Sequence, residues 1–570
     1  MGSGRFTTLV GGIRWFPASG VFLVIATFQI QLSAATLIEP GKTNELGLRD
    51  FLRLVLERNE SLHGRVLEFE IAQHHFKAER GIFEPELVLS YDRVENKREN
   101  TAEQRRSSGV VVFDEDNNIY NAGLEALVPT GAKIRLGYTL RDLNNNLQDP
   151  PFGTIITNSL RGEFQTFAGL SVTQPLLKNA WFSATLANVR LAALASDVAY
   201  QEYRRQLMLV ISTAEASYWN LYLAQEQVRF FRESVRLAET LVADHEAAVQ
   251  AGKAAELEVL EAKAGLALRN SKLAEAEQKY FETAAQLLTL ISQSAAEPAP
   301  ILWAADRPGV SVAAPAFLES GQLALEMNPD YLGQLKKLKQ EDIRVAYARN
   351  QRLPQLDLRA SYGLNGLGTD PGSSWDDVQT RGFPSFSAGA ELRIPLGGGL
   401  KVRHELSAAK LRKQQALASL KETETQILNA IDTAVHKVKS AQQATSNYQN
   451  VVLFNDNLLN TERARLEAGK ATSRRVLEVD ASLFEAKNAV VEAQVQYERA
   501  HLELELVRGS LLRSRNLDFP QKELEQRTTA LLKQAGISES QYQSLATRLR
   551  ARYEKGNSST PGSNAPPRLR

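Results

Sequence analysis

The chain has 570 residues, a formal net charge of +1 and 23% charged residues. So balanced a charge supplies no long-range field toward nucleic acid or a membrane surface. With no cysteine, disulfides, thiolate zinc sites, cysteine nucleophiles and a lipid-anchored N-terminal Cys are all excluded.

Residues 1–35 read as an export signal. Arg5 and Arg14 give a basic start, "GVFLVIATFQI" (20–30) an apolar core, and "LSAA" a cleavage site at Ala34 or Ala35. The core is short for a spanning helix; a single membrane anchor is the alternative. Past a helical stretch, Leu87, Leu89 and Tyr91 repeat the alternation of a half-buried strand more weakly, with Val88 between the first two. Segments 119–128, with Leu127 the exception, and 133–141 alternate too, with "PTGA" (129–132) as a turn between them. Long polar loops are expected at about 93–118 and 142–162.

Strand 163–174 ends at Pro175, and from Phe182 to about Ala248 no proline interrupts a helical pattern. Gly252 stops it, as a left-handed glycine stops a helix. A returning helix runs to about residue 292, with a small-residue seam expected at Leu257, Leu260, Ala264, Ala267, Ser271, Ala274, Phe281, Ala285 and Leu288. The second half has strands at 356–362 and 386–394, Pro395, and a helix from Leu400 to about Glu467. Gly469 ends that helix, and the return carries a seam through Leu477, Ala481, Phe484, Val491, Val495 and Leu502. Residues 518–555 read as short polar helices and 556–570 as disordered by composition.

The two halves are copies. "AAVQAGKAAELEVLE" (247–261) and "ARLEAGKATSRRVLE" (464–478) match at an offset of 217 residues. Tyr280 meets Tyr497 in the same register, and Pro175 meets Pro395 at an offset of 220. Leu54, Asn59 and Pro85 meet Leu323, Asn328 and Pro354 at an offset of 269, so the first copy holds an insertion of about 50 residues. Units of this length are too long for a solenoid repeat. The copies are placed at 45–292 and 316–512.

Strand, "TQPLLKNAW" (173–181) or "RIPLGGGLK" (393–401), long helix, glycine turn and return helix, all duplicated, resemble the TolC-like outer-membrane efflux and secretion channels. The resemblance implies an α+β, mainly α fold. A homotrimer pools its strands into a β-barrel in outer-membrane lipid, continued by a coiled-coil tunnel through the periplasm. It implies a passive exit duct docking on a periplasmic adaptor and an inner-membrane pump, with no cofactor and no nucleic-acid partner. Physics agrees that strands too few to close a barrel must be shared between copies. A soluble sandwich, or a periplasmic coiled-coil adaptor or structural protein, is the competing reading.

In that family the glycine turns are the periplasmic tips. Gly252, Lys253, Arg465, Leu466, Gly469 and Lys470 are therefore the adaptor-contact candidates, "RLEAG" (465–469) matching the family's tip pattern. The family closes its mouth with acidic rings. Aligned from the glycines, those positions fall on Glu258 and Glu261, and on Arg475 and Glu478. Arg475 departs from the pattern and is expected to pair with Glu478 or with a neighbouring Glu258. Pro175 and Pro395 mark the strand–helix junctions.

No catalytic or metal constellation competes. His74 and His75, adjacent on a helix, cannot face one metal, and "PLGGGLK" lacks the spacing of a phosphate loop. The insertion adds two strands to the four usual in the family, so six per protomer and roughly eighteen per trimer are expected. The competing reading folds the 119–141 hairpin over the barrel mouth as a lid.

Overall fold

The computed structural model describes residues 43–146, 162–252, 255–291, 301–309, 315–468 and 470–518, with 520, 521 and 524. The export signal, most of loop 142–162, most of 518–555 and the tail 556–570 lie outside the described residues.

In chain order the first copy runs β1 (Thr43–Leu46), α1 (Leu48–Arg58), α2 (Glu60–Arg80), β2 (Glu86–Glu99), α3 (Ala102–Ser108), β3 (Val112–Leu127), β4 (Lys133–Leu143) and β5 (Glu163–Pro175). It continues with α4 (Trp181–Thr185), α5 (Ala187–Gln250) and α6 (Glu256–Leu290). The second copy has β6 (Ile301–Ala304), α7 (Phe317–Met327), α8 (Pro329–Gln351), β7 (Gln355–Gly368), α9 (Pro371–Thr380), β8 (Pro384–Arg393), α10 (Leu400–Glu467), α11 (Ser473–Arg508) and α12 (Leu511–Ser514). At 1.5 Å per residue, α5 and α10 are rods of about 96 and 102 Å.

Six strands form one antiparallel sheet in the order β2-β3-β4-β5-β7-β8. The hairpin β3–β4 is inside this sheet, with β4 bonded along its length to β5. Register shows what the alternation achieves. Residues directly opposite in neighbouring strands share a face. One transverse row reads Leu87, Leu124, Leu136, Leu170, Tyr362 and Phe386 across all six strands. The adjacent row on the other face reads Glu86, Glu125, Arg135, Ser171, Ser361 and Ser387. One face is thus apolar and the other polar. The apolar side chains stay exposed, Leu87 at 69% and Phe386 at 73%. Apolar rows continue from Tyr91–Tyr120–Leu140 down to Leu356–Leu392. That is ten residues along β7, about 34 Å of strand and about 25 Å of height at the usual tilt.

On the polar face Val88, Gly123, Gly137, Gly169, Gly363 and Ser385 form a row with almost no side chains. Arg135, paired with Glu125 at 3.4 Å, lies across Gly123, and the Phe167 ring lies against Gly169 and Gly363. Long side chains therefore lie flat along this wall.

The connections to α2, α4, α8 and α10 all leave from one end of the sheet, and the 129–132 turn is at that end too. The Thr130 carbonyl accepts from the Trp181 amide at 2.9 Å and from Gln174 Nε2 at 3.1 Å. The Asn145 bridge to Glu115 lies at the opposite end.

Three expectations need correcting. The first rod is broken at Leu186, whose φ −90 and ψ 5 separate α4 from α5. The loop expected from residue 93 is mostly strand, since β2 runs to Glu99 and β3 starts at Val112. These polar extensions are held by the backbone ladder and by Arg93–Asp116 at 2.8 Å and Lys97–Asp114 at 3.1 Å, which apolar alternation does not detect. Finally, the seam assigned to α6 faces outward. Leu257 and Leu260 are each 64% exposed and Phe281 56%, with Leu288 the one seam residue that is buried; the inward face is made instead by Ala262, Ala276, Ala284 and Leu287.

The core sits midway along the rods, where Phe51, Phe69, Leu207, Ile211, Tyr218, Leu287, Leu302, Leu502 and Leu511 join. Strands β1 and β6 pair in parallel beside it, an element without a sequence signal. Buried polar groups of α5 hold them. Tyr218 Oη donates to the Leu46 carbonyl at 2.9 Å and accepts from the Asp306 amide at 3.0 Å. Gln225 Oε1 accepts from the Ala304 amide at 2.9 Å. Burial pushes the Tyr218 phenol up to about 12. Nearby, Glu215 of α5 takes two hydrogen bonds from Arg515, at 2.7 and 3.1 Å, which clamps the segment just after α12 onto the rods.

Candidate functional site

At the first tip, α5 ends at Gln250 and the chain reverses through Gly252 at φ +67, its amide bonded to the Val249 carbonyl at 2.9 Å. An added Cβ there would meet open space, so glycine is required for its backbone angle and not for room. Lys253 lies outside the described residues. At the second tip α10 ends at Glu467, and the Lys470 amide closes the turn onto the Arg465 carbonyl at 2.8 Å. Thr472 caps α11 by accepting from the Arg475 amide at 3.4 Å. Gly469 lies outside the described residues.

The tip candidates differ in what they offer. Arg465 folds back onto its own helix, 2.8 Å from Glu462, whose side chain is 7% exposed. Leu466 packs against the cluster Leu459, Val476, Val479 and Leu483, which locks the second hairpin just behind its turn. Lys470 is exposed.

The mouth candidates fall into two unconnected groups among the described residues. On α11, Arg475 Nη1 is 3.3 Å from Glu478 Oε2, and Arg474 Nε is 3.2 Å from Glu478 Oε1. Arg475 thus pairs within its own helix and not with Glu258 of the same chain. On α6, Glu258 Oε2 faces His245 Nδ1 at 3.5 Å, and no partner is described for Glu261. What joins the hairpins lies slightly further in. Arg269 of α6 is 3.7 Å from Asp480 of α11, both side chains largely buried at 13% and 14% exposure. Arg269 also donates to Ser234 Oγ at 2.9 Å. Burial holds the Asp480 carboxyl above its usual range, against the pull of Arg269, Arg463 and Lys487. Sequence reasoning missed this pair because a helix-face charge normally reads as solvated. Only its position on the two facing returns marks it.

At the junctions, Pro175 closes β5 opposite Asp357, and the Pro395 carbonyl accepts from the Gly398 amide at 3.1 Å just before α10. Asn350 of α8 accepts from the Asn179 amide at 2.8 Å, tying the first junction to the second copy. Among the described residues there is no cluster of metal-ligating side chains and no helix long and apolar enough to cross a membrane.

A sheet with one apolar and one polar face and two open edges, standing on paired helical hairpins of about 100 Å, defines an outer-membrane channel subunit. The chain belongs to the outer membrane efflux protein family, whose model matches residues 151–293 and 321–510. It is 22% identical over 469 residues to the alkaline protease secretion protein AprF of Pseudomonas aeruginosa, covering 82% of this chain and 85% of that one. It is 27% identical over 299 residues to the pyoverdine export outer membrane protein OpmQ of the same organism, covering 50% and 58% of the two chains. The crystal structure of VceC from Vibrio cholerae has a similar fold, with a TM-score of 0.54 at 17% identity, over 81% of this chain and 96% of that one. The protein is accordingly an outer-membrane efflux and secretion channel with a mainly α, α+β fold. A family of channels gives no reason to expect enzymatic activity.

Proposed function

We propose that the chain is the exit duct of a tripartite efflux or type I secretion assembly. After removal of a signal at 1–35, two copies, 45–292 and 316–512, form a protomer that trimerises. The tips, through Gly252, Lys253, Arg465, Leu466, Gly469 and Lys470, meet a periplasmic adaptor that joins the duct to an inner-membrane pump. Glu258, Glu261, Arg475 and Glu478 line the closed mouth, and the Arg269–Asp480 pair holds the two hairpins together above it. Names among the relatives span protease secretion and pyoverdine export, which fits a passive duct whose pump selects the cargo.

The observation that carries this reading is the sheet. Its edges, β2 and β8, run in opposite directions, so β8 of one copy can continue the antiparallel order onto β2 of the next. Its apolar face meets lipid and its polar face lines water, as closure without a free edge requires. Three copies then give eighteen strands in place of twelve. At about 4.8 Å between strands and a tilt near 40°, the barrel widens from about 24 to about 36 Å between backbones. Packing of the 129–132 turn against the helix end argues against an external lid.

Cryo-electron microscopy of the detergent-extracted protein tests both points, with a three-fold particle and eighteen strands expected. A three-fold particle with twelve strands would overturn the wide barrel alone, and a soluble monomer would overturn the duct. On whole cells, a membrane-impermeant thiol reagent should reach cysteines placed at Asp114 and Asn145 and miss one at Thr130.

A further inference from the structure

The helix α9, at the end of the sheet away from the rods, lies on the apolar face. It is a built element: Asp370 caps it by accepting from Gly372 and Ser373 amides at 3.0 and 3.1 Å, and Pro371 opens its first turn. Ser374 Oγ meets Thr166 Oγ1 at 2.7 Å, both residues buried, and Val378 is 4% exposed. The strands make room for it. A Cβ at Gly366 would run into the Ser374 carbonyl, and one at Gly368 into Ser373. Thr166, Gly366 and Gly368 all belong to the apolar face by register, in its last rows. Trp375 reaches one row deeper, its ring edge-on to Tyr138 at 5.5 Å, and remains 39% exposed.

Beneath Trp375 the apolar face is hollowed. A depression of about 460 Å³ is lined by Tyr138, Leu136, Leu170, Tyr362, Leu364 and Trp375. The lining side chains of the strands belong to the apolar face by register. Above it, Asp376 and Gln379 on α9 point outward and are exposed. An apolar hollow bordered by a tryptophan, beside a helix that exposes Asp376 and Gln379, has the layout of one lipid molecule at a membrane boundary.

We propose that α9 and Trp375 form a seat for a membrane phospholipid. One acyl chain occupies the hollow against Tyr138, Leu170 and Tyr362, and the headgroup lies beside the polar side of α9. The Trp375 ring sits at the level where aromatic girdles of outer-membrane barrels meet the headgroups. The seat fixes the height of the barrel in the bilayer at the β7–β8 loop. It rests on the reading that the apolar face meets lipid.

The test uses the full-length protein in phosphatidylethanolamine vesicles containing a small fraction of the same lipid with a photoactivatable diazirine in one acyl chain. Adducts are mapped by peptide mass spectrometry. Labelling of Tyr138, Leu170, Tyr362 or Trp375 should exceed that of Phe386 and Leu392 severalfold. It should fall to their level in Trp375→Ala, and also in Leu364→Trp, which fills the hollow while leaving α9 in place. Even labelling of the whole face in the native protein, or enrichment that survives both substitutions, would overturn the seat. No adduct anywhere on the apolar face, Phe386 included, would instead overturn the membrane-facing assignment beneath it.

Discussion

Along α5, the first long helix, Leu207, Met208, Ile211, Ala214, Tyr218, Leu221 and Ala224 are all buried. Along α10, its counterpart of similar length, Leu411, Leu417, Val451, Leu453, Phe454 and Leu458 are 40–68% exposed. The returning helices reverse the contrast. In α11, Val479, Leu483, Val491, Val495, Leu502 and Leu504 are buried, whereas α6 exposes Leu257, Leu260, Leu268 and Phe281. Within one protomer, then, α5 and α11 are interior and α10 and α6 are flanks. Duplication copied the helices without copying their surroundings. On the trimeric reading proposed above, two apolar flanks, one on each side, would suit head-to-tail contacts that close into a ring, α10 of one copy meeting α6 of the next.

The interior pair is most exposed to a single change at Arg515. Its removal leaves Glu215, 2% exposed, as a buried charge without its bidentate partner. Arg515→Ala should cost about 3–5 kcal/mol, read as a lower unfolding midpoint by circular dichroism, and Glu215→Gln in the same chain should recover part of it. Little change would mean that the clamp is decorative.

The flanks should respond differently. Phe454→Asp or Leu260→Asp is expected to abolish the trimer on size exclusion with light scattering while helicity persists. A trimer that survives both would show that the flanks face something other than a second copy.

Smaller effects are expected at the mouth, where the hairpins meet. Arg475→Ala with Glu478→Ala should raise single-channel conductance in planar bilayers, and unchanged conductance in intact trimers removes these residues from the gate. Asp480 adds a pH dependence of known sign. Burial raises its folded value above the unfolded one near 3.8. Its favourable contribution is therefore complete below the unfolded value and is lost as pH rises through the folded one. Asp480→Asn should remove that slope from the plot of unfolding midpoint against pH. It should also raise conductance at neutral pH by releasing the tie to Arg269. A midpoint–pH profile identical to the native one would contradict the assignment. The smallest change is Gly252→Ala, which should cost about 1–2 kcal/mol for a left-handed alanine and leave the second tip untouched.

What the sequence reveals depends on whether a signal is local. Rod α10 is legible to the residue because Leu400 follows a glycine turn and Glu467 precedes one. The sheet's two faces are legible because the residues around Leu87, Leu124, Leu136 and Phe386 alternate, with Val88 and Leu127 as exceptions. The polar extensions of β2 and β3 are not, since the ladder, ion pairs and bonds such as Asn96 to Glu115 hold them without any apolar pattern. The parallel pair β1–β6 joins residues 43–46 to 301–304, and four-residue strands so far apart carry no pattern. The outward turn of the α6 seam escapes for another reason: periodicity finds an apolar stripe but does not say which neighbour covers it. Arg475 pairs with Glu478, one of two partners open to it, because i and i+3 on a helix are adjacent. The Arg269–Asp480 tie needs the relative placement of two helices that no local rule supplies.

Strand β2 carries a last consequence. As an edge, it offers an unpaired row of backbone donors and acceptors from Glu86 to Glu99, and such a row recruits any compatible strand. Its lower half, with Leu87, Val88, Leu89 and Tyr91, suits pairing within a bilayer. Its upper half reads Asp92, Arg93, Glu95, Lys97, Arg98 and Glu99, the charges that natural edges use to refuse a partner. One strand thus welcomes a neighbour where closure is needed and repels one above that height. The same division guards the charged end of the sheet against sheet-to-sheet aggregation.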